Sequence, residues 1–292
     1  MKKTTRGTRA EVRSNAGGKK KQNKIMYYVI LVILLGILVF SVSKIVSYFK
    51  QQADAEDMAA GVQDSYVTPG DEQSTPPTPV VPDDGTGEEK EPEKEPEPVK
   101  PEPETISVNF DGLTAEYPDV VGYIYAAYTG INYPIVQSSS NDYYLNHDLK
   151  GNINNNGSIF MEHLCSSDFS DQNTIIYGHN MKSGLMFAHL TNYKNQQYYN
   201  AHPYFYIYTP NQDYKLNLYA GFVCEHDDEV YALSLSQSQL EAMAAKSTFK
   251  SNIGTPTGNL VTLSTCSYEF DDARYVVIGE LVPLNEDSSS EG

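Results

Sequence analysis

Three side chains in the C-terminal half of this 292-residue sequence are of the types that, brought together, perform covalent chemistry at a carbonyl: Cys266, His179 and Arg274. Cys266 ends the apolar run Asn259-Leu-Val-Thr-Leu-Ser-Thr265 and precedes the polar, turn-like stretch Ser267–Asp272. A thiol at the mouth of a strand is rigidly held yet reachable, as a nucleophile must be. His179 has the same setting: Asn173–Tyr177 reads as a strand, Gly178 opens the backbone, and His179-Asn180 begins a loop, where catalytic groups are usually presented. Arg274 follows Cys266 by eight residues across a short acidic turn, so a hairpin brings both to one end of the sheet. It is the only arginine after Arg13. Its fixed fork of donors suits an oxyanion or a substrate carbonyl, although a salt bridge to Asp271 or Asp272 would also account for it.

Other residues compete for these roles. Three cysteines in an exported chain are an odd number, so at least one thiol is free. Cys224 ends an alternating strand beside Phe222 and reads as a buried small hydrophobe, while Cys165 lies in a polar loop without an evident role. Among the other histidines His147, in Tyr144-Leu-Asn-His147-Asp148, is the best rival to His179. Asp227-Asp228-Glu229 reads as a solvated turn, since no histidine or spaced carboxylate joins it as a metal site requires. No cofactor is expected.

The elements that must position these groups are mostly strands. Short segments rich in Tyr, Val and Ile recur at Val120–Tyr125, Ile131–Val136, Ser158–Met161, Thr174–Gly178, Tyr204–Thr209, Tyr214–Glu225, Leu260–Thr265 and Tyr275–Pro283. Helical signals are few: near Phe110–Tyr117, between Leu185 and Ala201, and from Ser238, where Ser238-Gln-Leu-Glu241 fits a capping box. Eight strands with a few helices predict a mainly β fold, a closed eight-stranded barrel.

Ahead of this domain the chain changes character twice. Ile25–Ser43 is a charge-free run of nineteen residues preceded by nine Lys/Arg between Lys2 and Lys24. It is longer than the usual core of a cleaved signal and long enough to span a bilayer as a helix. The basic flank predicts a cytoplasmic tail (1–24), a retained transmembrane anchor (25–43), and an outer remainder, with the chain resident in the cell membrane. Residues 44–104 read as an extracellular linker, nearly free of large apolar residues beyond Gln51 and dense in Pro, Glu, Asp and Thr beyond Pro69. Residues 105–285 form the folded domain and 286–292 a disordered tail. Residues 51–104 carry three Lys against sixteen acids, and 105–292 seven Lys/Arg against twenty-one. Such an acidic exterior repels phosphate backbones and argues against nucleic acid.

Thr262-Leu-Ser-Thr-Cys266 resembles the TLxTC signature of sortases, and Asn173-Thr-Ile-Ile-Tyr-Gly-His-Asn-Met181 resembles their histidine segment. Asp119-Val-Val-Gly-Tyr-Ile124, Asn132-Tyr-Pro-Ile135, Asn141-Asp-Tyr-Tyr-Leu145 and Gly157-Ser-Ile-Phe160 are similar in particular to class B. Tyr123 departs from the pattern, standing where Trp is expected. The resemblance implies a sortase-type barrel, a Cys266–His179–Arg274 site and a membrane-anchored transpeptidase. It would cleave an NPxTx-like motif of a surface protein through a Cys thioester and pass the acyl group to an amine of peptidoglycan or its precursor. Ser264, Thr265 and Asn180, beside these groups, are expected to contact the substrate. Two other functions stay open on the residues alone: a cysteine protease or amidase that resolves the thioester with water, and a non-catalytic surface module that binds peptides.

Overall fold

The computed structural model describes residues 9–70, with side chains from residue 26, and residues 104–284. The chain divides into two units, Met1–Ala53 and Asp54–Gly292. Helix α1 (Arg9–Tyr66) begins in the first. Its apolar side chains from Met26 to Phe49 are exposed, and it is the one helix among the described residues long and apolar enough to cross a membrane.

The second unit carries the barrel. After the end of α1 come β1 (Val67–Pro69), β2 (Ile106–Val108), α2 (Phe110–Glu116), β3 (Val120–Ala126), β4 (Ile131–Val136), α3 (Asn141–Tyr144), β5 (Ile159–Met161) and β6 (Asn173–Tyr177). They are followed by α4 (Gln196–Ala201), β7 (Tyr204–Tyr208), β8 (Tyr214–Cys224), α5 (Gln237–Ala245), β9 (Leu260–Cys266) and β10 (Arg274–Pro283), with 3-10 turns at Ala188–Lys194 and Glu229–Tyr231. Strands β3 to β10, the eight read from the sequence, close in the order β10-β8-β7-β3-β4-β5-β6-β9. Neighbours are antiparallel except β4–β5 and β6–β9.

Strand alternation sorts side chains to the two faces. On β9, Val261 and Leu263 fill the barrel interior with Ile124, Ile175, Phe205, Leu218 and Val277. Leu260 faces outward with Phe222, Cys224, Val276 and Ile278, beneath Val230, Leu240 and Met243 of the β8–β9 connection. Cys266 extends the outward row of Leu260, Thr262 and Ser264. Tyr123 is fully buried and donates its hydroxyl to Asn132 Oδ1 at 2.7 Å, so the departure from Trp is met by a polar partner.

Two expectations need correction. The capping box of α5 is Ser236 with Gln239, whose Oε1 accepts from Ser236 N at 2.9 Å, and not Ser238 with Glu241. Both pairs fit the S-x-x-E/Q spacing; starting at Ser236 places Leu240 and Met243 together on the buried face. The reading of residues 44–104 as an unfolded linker fails over its first third. Residues 54–66 are helical and bury Ala55 against the barrel core and Val62 against Ile106, Leu113, Tyr117 and Tyr123. Ala55, Ala59, Val62 and Tyr66 recur at helical spacing, a narrow stripe of mostly small residues that the surrounding acids mask. Gln63 Nε2 also donates to Asn132 O at 3.1 Å, and β1 pairs with β2. Residues 71–103, the Pro/Glu-rich remainder of that linker, and residues 286–292 lie outside the described residues.

A stability difference follows. A chain beginning at Thr105 should unfold at lower denaturant than one beginning at Asp54, because losing Val62 from its site alone removes about 1.5–3 kcal/mol of burial. Urea titration of the two checks this; equal midpoints would show that residues 54–70 add nothing to the fold.

Candidate active site

The parallel pairing of β6 with β9 sets Tyr177 opposite Ser264, so both strands leave the barrel at the same rim. Two residues further along each lie His179 and Cys266. The junction is clamped: Gly178 N donates to Ser264 O at 3.1 Å, and Thr265 Oγ1 donates to Gly178 O at 2.8 Å. Gly178 must be glycine because a Cβ there would sit 2.4 Å from Ile159 Cδ1 and 2.7 Å from the Phe187 ring. On the other side of β9 the antiparallel register puts Arg274 directly opposite Cys266. The hairpin expected from the eight-residue spacing is thus what brings these two together.

His179 Nε2 lies 2.7 Å from the Leu145 carbonyl, and the ring stands near enough to the Cys266 side chain for each to shift the titration of the other. A carbonyl only accepts, so Nε2 carries a proton and Nδ1 is left for the thiol. His179, helped by the Arg274 charge, lowers the Cys266 thiol against the opposing effect of burial. Cys266, helped by the Leu145 carbonyl, raises His179, with burial and Arg274 opposing. The two titrations move toward each other, which favours a thiolate–imidazolium pair. The other thiols do the reverse: burial pushes Cys165 up to about 11 and Cys224 up to about 12.

The Arg274 guanidinium donates from Nη1 to the carbonyls of Asp272 at 3.0 Å and Ala273 at 3.2 Å. No carboxylate pairs with it among the described residues, so the salt bridge to Asp271 or Asp272 does not form. The loop carrying it is pinned from the opposite side by Lys194, which donates to Ser267 Oγ at 2.9 Å and pairs with Glu269. Those contacts hold the Glu269 carboxyl down to about 2.

The three residues expected to contact substrate are placed differently from Cys266, His179 and Arg274. Ser264 is buried, its hydroxyl 2.8 Å from Tyr231 Oη, and Thr265 is buried with its hydroxyl on Gly178 O. Both side chains are committed to holding the fold. Asn180 Nδ2 donates to Cys266 O at 2.9 Å, tying the His179 loop to the end of β9. Two contributors escaped the sequence. Leu145 acts through its carbonyl, to which side-chain type gives no clue. Tyr231, whose hydroxyl pairs with Ser264, lies in a connection without strand or helix periodicity.

A family profile described as Sortase domain matches residues 124–282. The chain is 36% identical over 174 residues to Sortase B of Listeria monocytogenes, covering 56% of this chain and 70% of the relative. The structure of a Staphylococcus aureus sortase B–substrate complex superposes with a TM-score of 0.57 at 28% identity, covering 60% of this chain and 85% of that one. A Bacillus anthracis protein similar to sortase B gives 0.56 at 34% identity, covering 61% and 85%.

Proposed function

This chain belongs to the sortase family and is a class B cysteine transpeptidase, and on that premise we propose that Cys266 is its nucleophile, His179 its acid and base, and Arg274 its oxyanion ligand. The carrying observation is the placement of the three at one rim: His179 and Cys266 each stand two residues past the paired Tyr177 and Ser264, and Arg274 lies opposite Cys266. The Cys266 thiolate attacks the threonine carbonyl carbon of an NPxTx-like sorting motif, and the negative charge moves to the carbonyl oxygen, facing Arg274. Collapse of that intermediate breaks the C–N bond as His179 gives its proton to the departing amine, leaving a thioester on Cys266. A peptidoglycan or precursor amine then attacks the thioester, His179 takes its proton, and the thiolate leaves. Residues 25–43 anchor the chain in the cell membrane. The nine Lys/Arg before them keep residues 1–24 in the cytoplasm, and the barrel domain faces the wall.

The test is mass spectrometry of the protein mixed with NPxTx peptides, before and after adding an oligoglycine amine. An acyl adduct on Cys266 that passes to the amine is expected. An adduct on another residue would overturn the assignment, and release to water alone would make the protein a hydrolase.

The pH dependence has a definite sign. Turnover needs Cys266 deprotonated and His179 protonated, so activity falls when the thiolate gains a proton on the acid side and when the imidazolium loses one on the alkaline side. With the thiol lowered from about 9.0 and the imidazole raised from about 6.5, the limbs of kcat/KM close toward each other and belong to the pair. A rate rising steadily into strong alkali would exclude His179 as the acid.

A further inference from the structure

Helix α3 is a single turn, so its end carbonyls need donors from elsewhere. Every carbonyl from residue 143 to residue 147 has one. Tyr143 O accepts from His147 Nδ1 at 2.7 Å and Asn146 N at 3.3 Å; Tyr144 O accepts from Ser158 N at 2.9 Å. Asn146 O accepts from Asn154 N at 2.9 Å and His147 O from Ser158 Oγ at 3.0 Å. Those four carbonyls are bound within the segment itself. The Leu145 carbonyl instead reaches His179, 34 residues away.

The backbone packed directly against that carbonyl is Gly157. Its φ is +59°, where a side chain is strained. A Cβ there would also lie 2.6 Å from Tyr144 O, 2.7 Å from Leu145 O and 3.0 Å from Leu145 C, all backbone atoms that cannot swing aside. Any larger residue must push the Leu145 peptide away from its place. Gly151, in the same segment with φ +76°, is a natural control. The Cβ there would meet only the hydroxyl of half-exposed Tyr143, at 2.8 Å.

In Ser-His-Asp triads a carboxylate accepts the distal ring proton and fixes the tautomer and angle of the histidine. An uncharged carbonyl can give the same orientation. We infer that the Leu145 carbonyl, held in place by Gly157, fixes the tautomer and orientation of His179, making Leu145 and Gly157 positioning residues for acyl transfer. This rests on the acid–base role of His179 proposed above. It joins two motifs, Asn141–Leu145 and Gly157–Phe160, that the chemistry had otherwise left unused.

The test reads the His179 ring nitrogens by 15N NMR above the alkaline limb, with kcat/KM measured alongside. Wild type should show the Nε2–H tautomer alone. Gly157→Ala should show a mixture of tautomers and lose on the order of 10²-fold in kcat/KM, as a misplaced catalytic group does. Gly151→Ala, also strained by its φ, should lose melting temperature but keep the single tautomer and the wild-type rate. A single Nε2–H tautomer or an undiminished rate in Gly157→Ala overturns the inference. If that variant does not fold, the wild-type spectrum decides, since any Nδ1–H form there also overturns it. The tautomer readout needs no turnover. Full activity in His179→Ala would therefore strike the acid–base reading separately.

Discussion

Cys266→Ala is expected to leave no acyl adduct and to lower turnover by at least about 10⁴-fold, the scale on which removing a covalent nucleophile acts. Cys165→Ala and Cys224→Ala should keep the wild-type rate. The reason lies in the surroundings of the three thiols rather than in their number. Cys266 is half-buried at a strand end, and its neighbour His179 lowers its pKa. Cys165 and Cys224 are buried and pushed up, so neither holds a useful fraction of thiolate near neutral pH. Cys224 is the sharper control because Arg274 lies opposite it on one side and opposite Cys266 on the other. Proximity to the guanidinium therefore does not make a nucleophile; the histidine does. Cys224→Ala should still cost about 1 kcal/mol, because it leaves a small void in the apolar layer beneath the β8–β9 connection. Rate and melting temperature of the three variants check this. A comparable loss of rate in Cys224→Ala would overturn the assignment.

The barrel and the trio were legible because each rests on a strong local signal. Strands buried on one or both faces are runs of Val, Ile, Leu and Tyr, and all eight were marked by such runs. His179 and Cys266 each stand just past an apolar run, and the parallel pairing that unites them leaves its trace only as that shared position. What was illegible depends on groups without side-chain identity or on weak stripes. The Leu145 carbonyl belongs to a residue that looks like any exposed leucine. The packing of residues 54–66 rests largely on Ala55, Ala59 and Val62, whose small apolar area is outweighed in composition by Asp54, Glu56, Asp57 and Asp64. Ser264 and Thr265 sit beside Cys266 in sequence, yet the Thr265 hydroxyl turns toward the strand junction and that of Ser264 pairs with Tyr231. Strand alternation puts Thr265 on the face opposite Cys266, and Ser264, on the same face, has its hydroxyl taken up by Tyr231, so nearness to Cys266 in the chain is poor evidence of nearness to substrate.

Arg274→Lys separates the two functions that the guanidinium combines, its charge and its fork. Lysine keeps the charge, so the part of the Cys266 shift that comes from Arg274 should largely persist and the acid limb of the pH profile should move little. The planar array of donors is lost. Nη1 now holds the carbonyls of Asp272 and Ala273, which fixes the plane of the group beside Cys266 and leaves its other N–H donors for an oxyanion. A lysine amine cannot hold those carbonyls and present a second donor in the same plane. Turnover should therefore fall by about 10²–10³-fold, the usual effect of losing one preorganised donor. Since Arg274 pairs with no carboxylate among the described residues, melting temperature should change little. Measuring kcat/KM across pH together with the melting temperature decides the matter. A near-normal rate would remove Arg274 from the oxyanion site, and a rate loss with a displaced acid limb would assign its effect to charge alone.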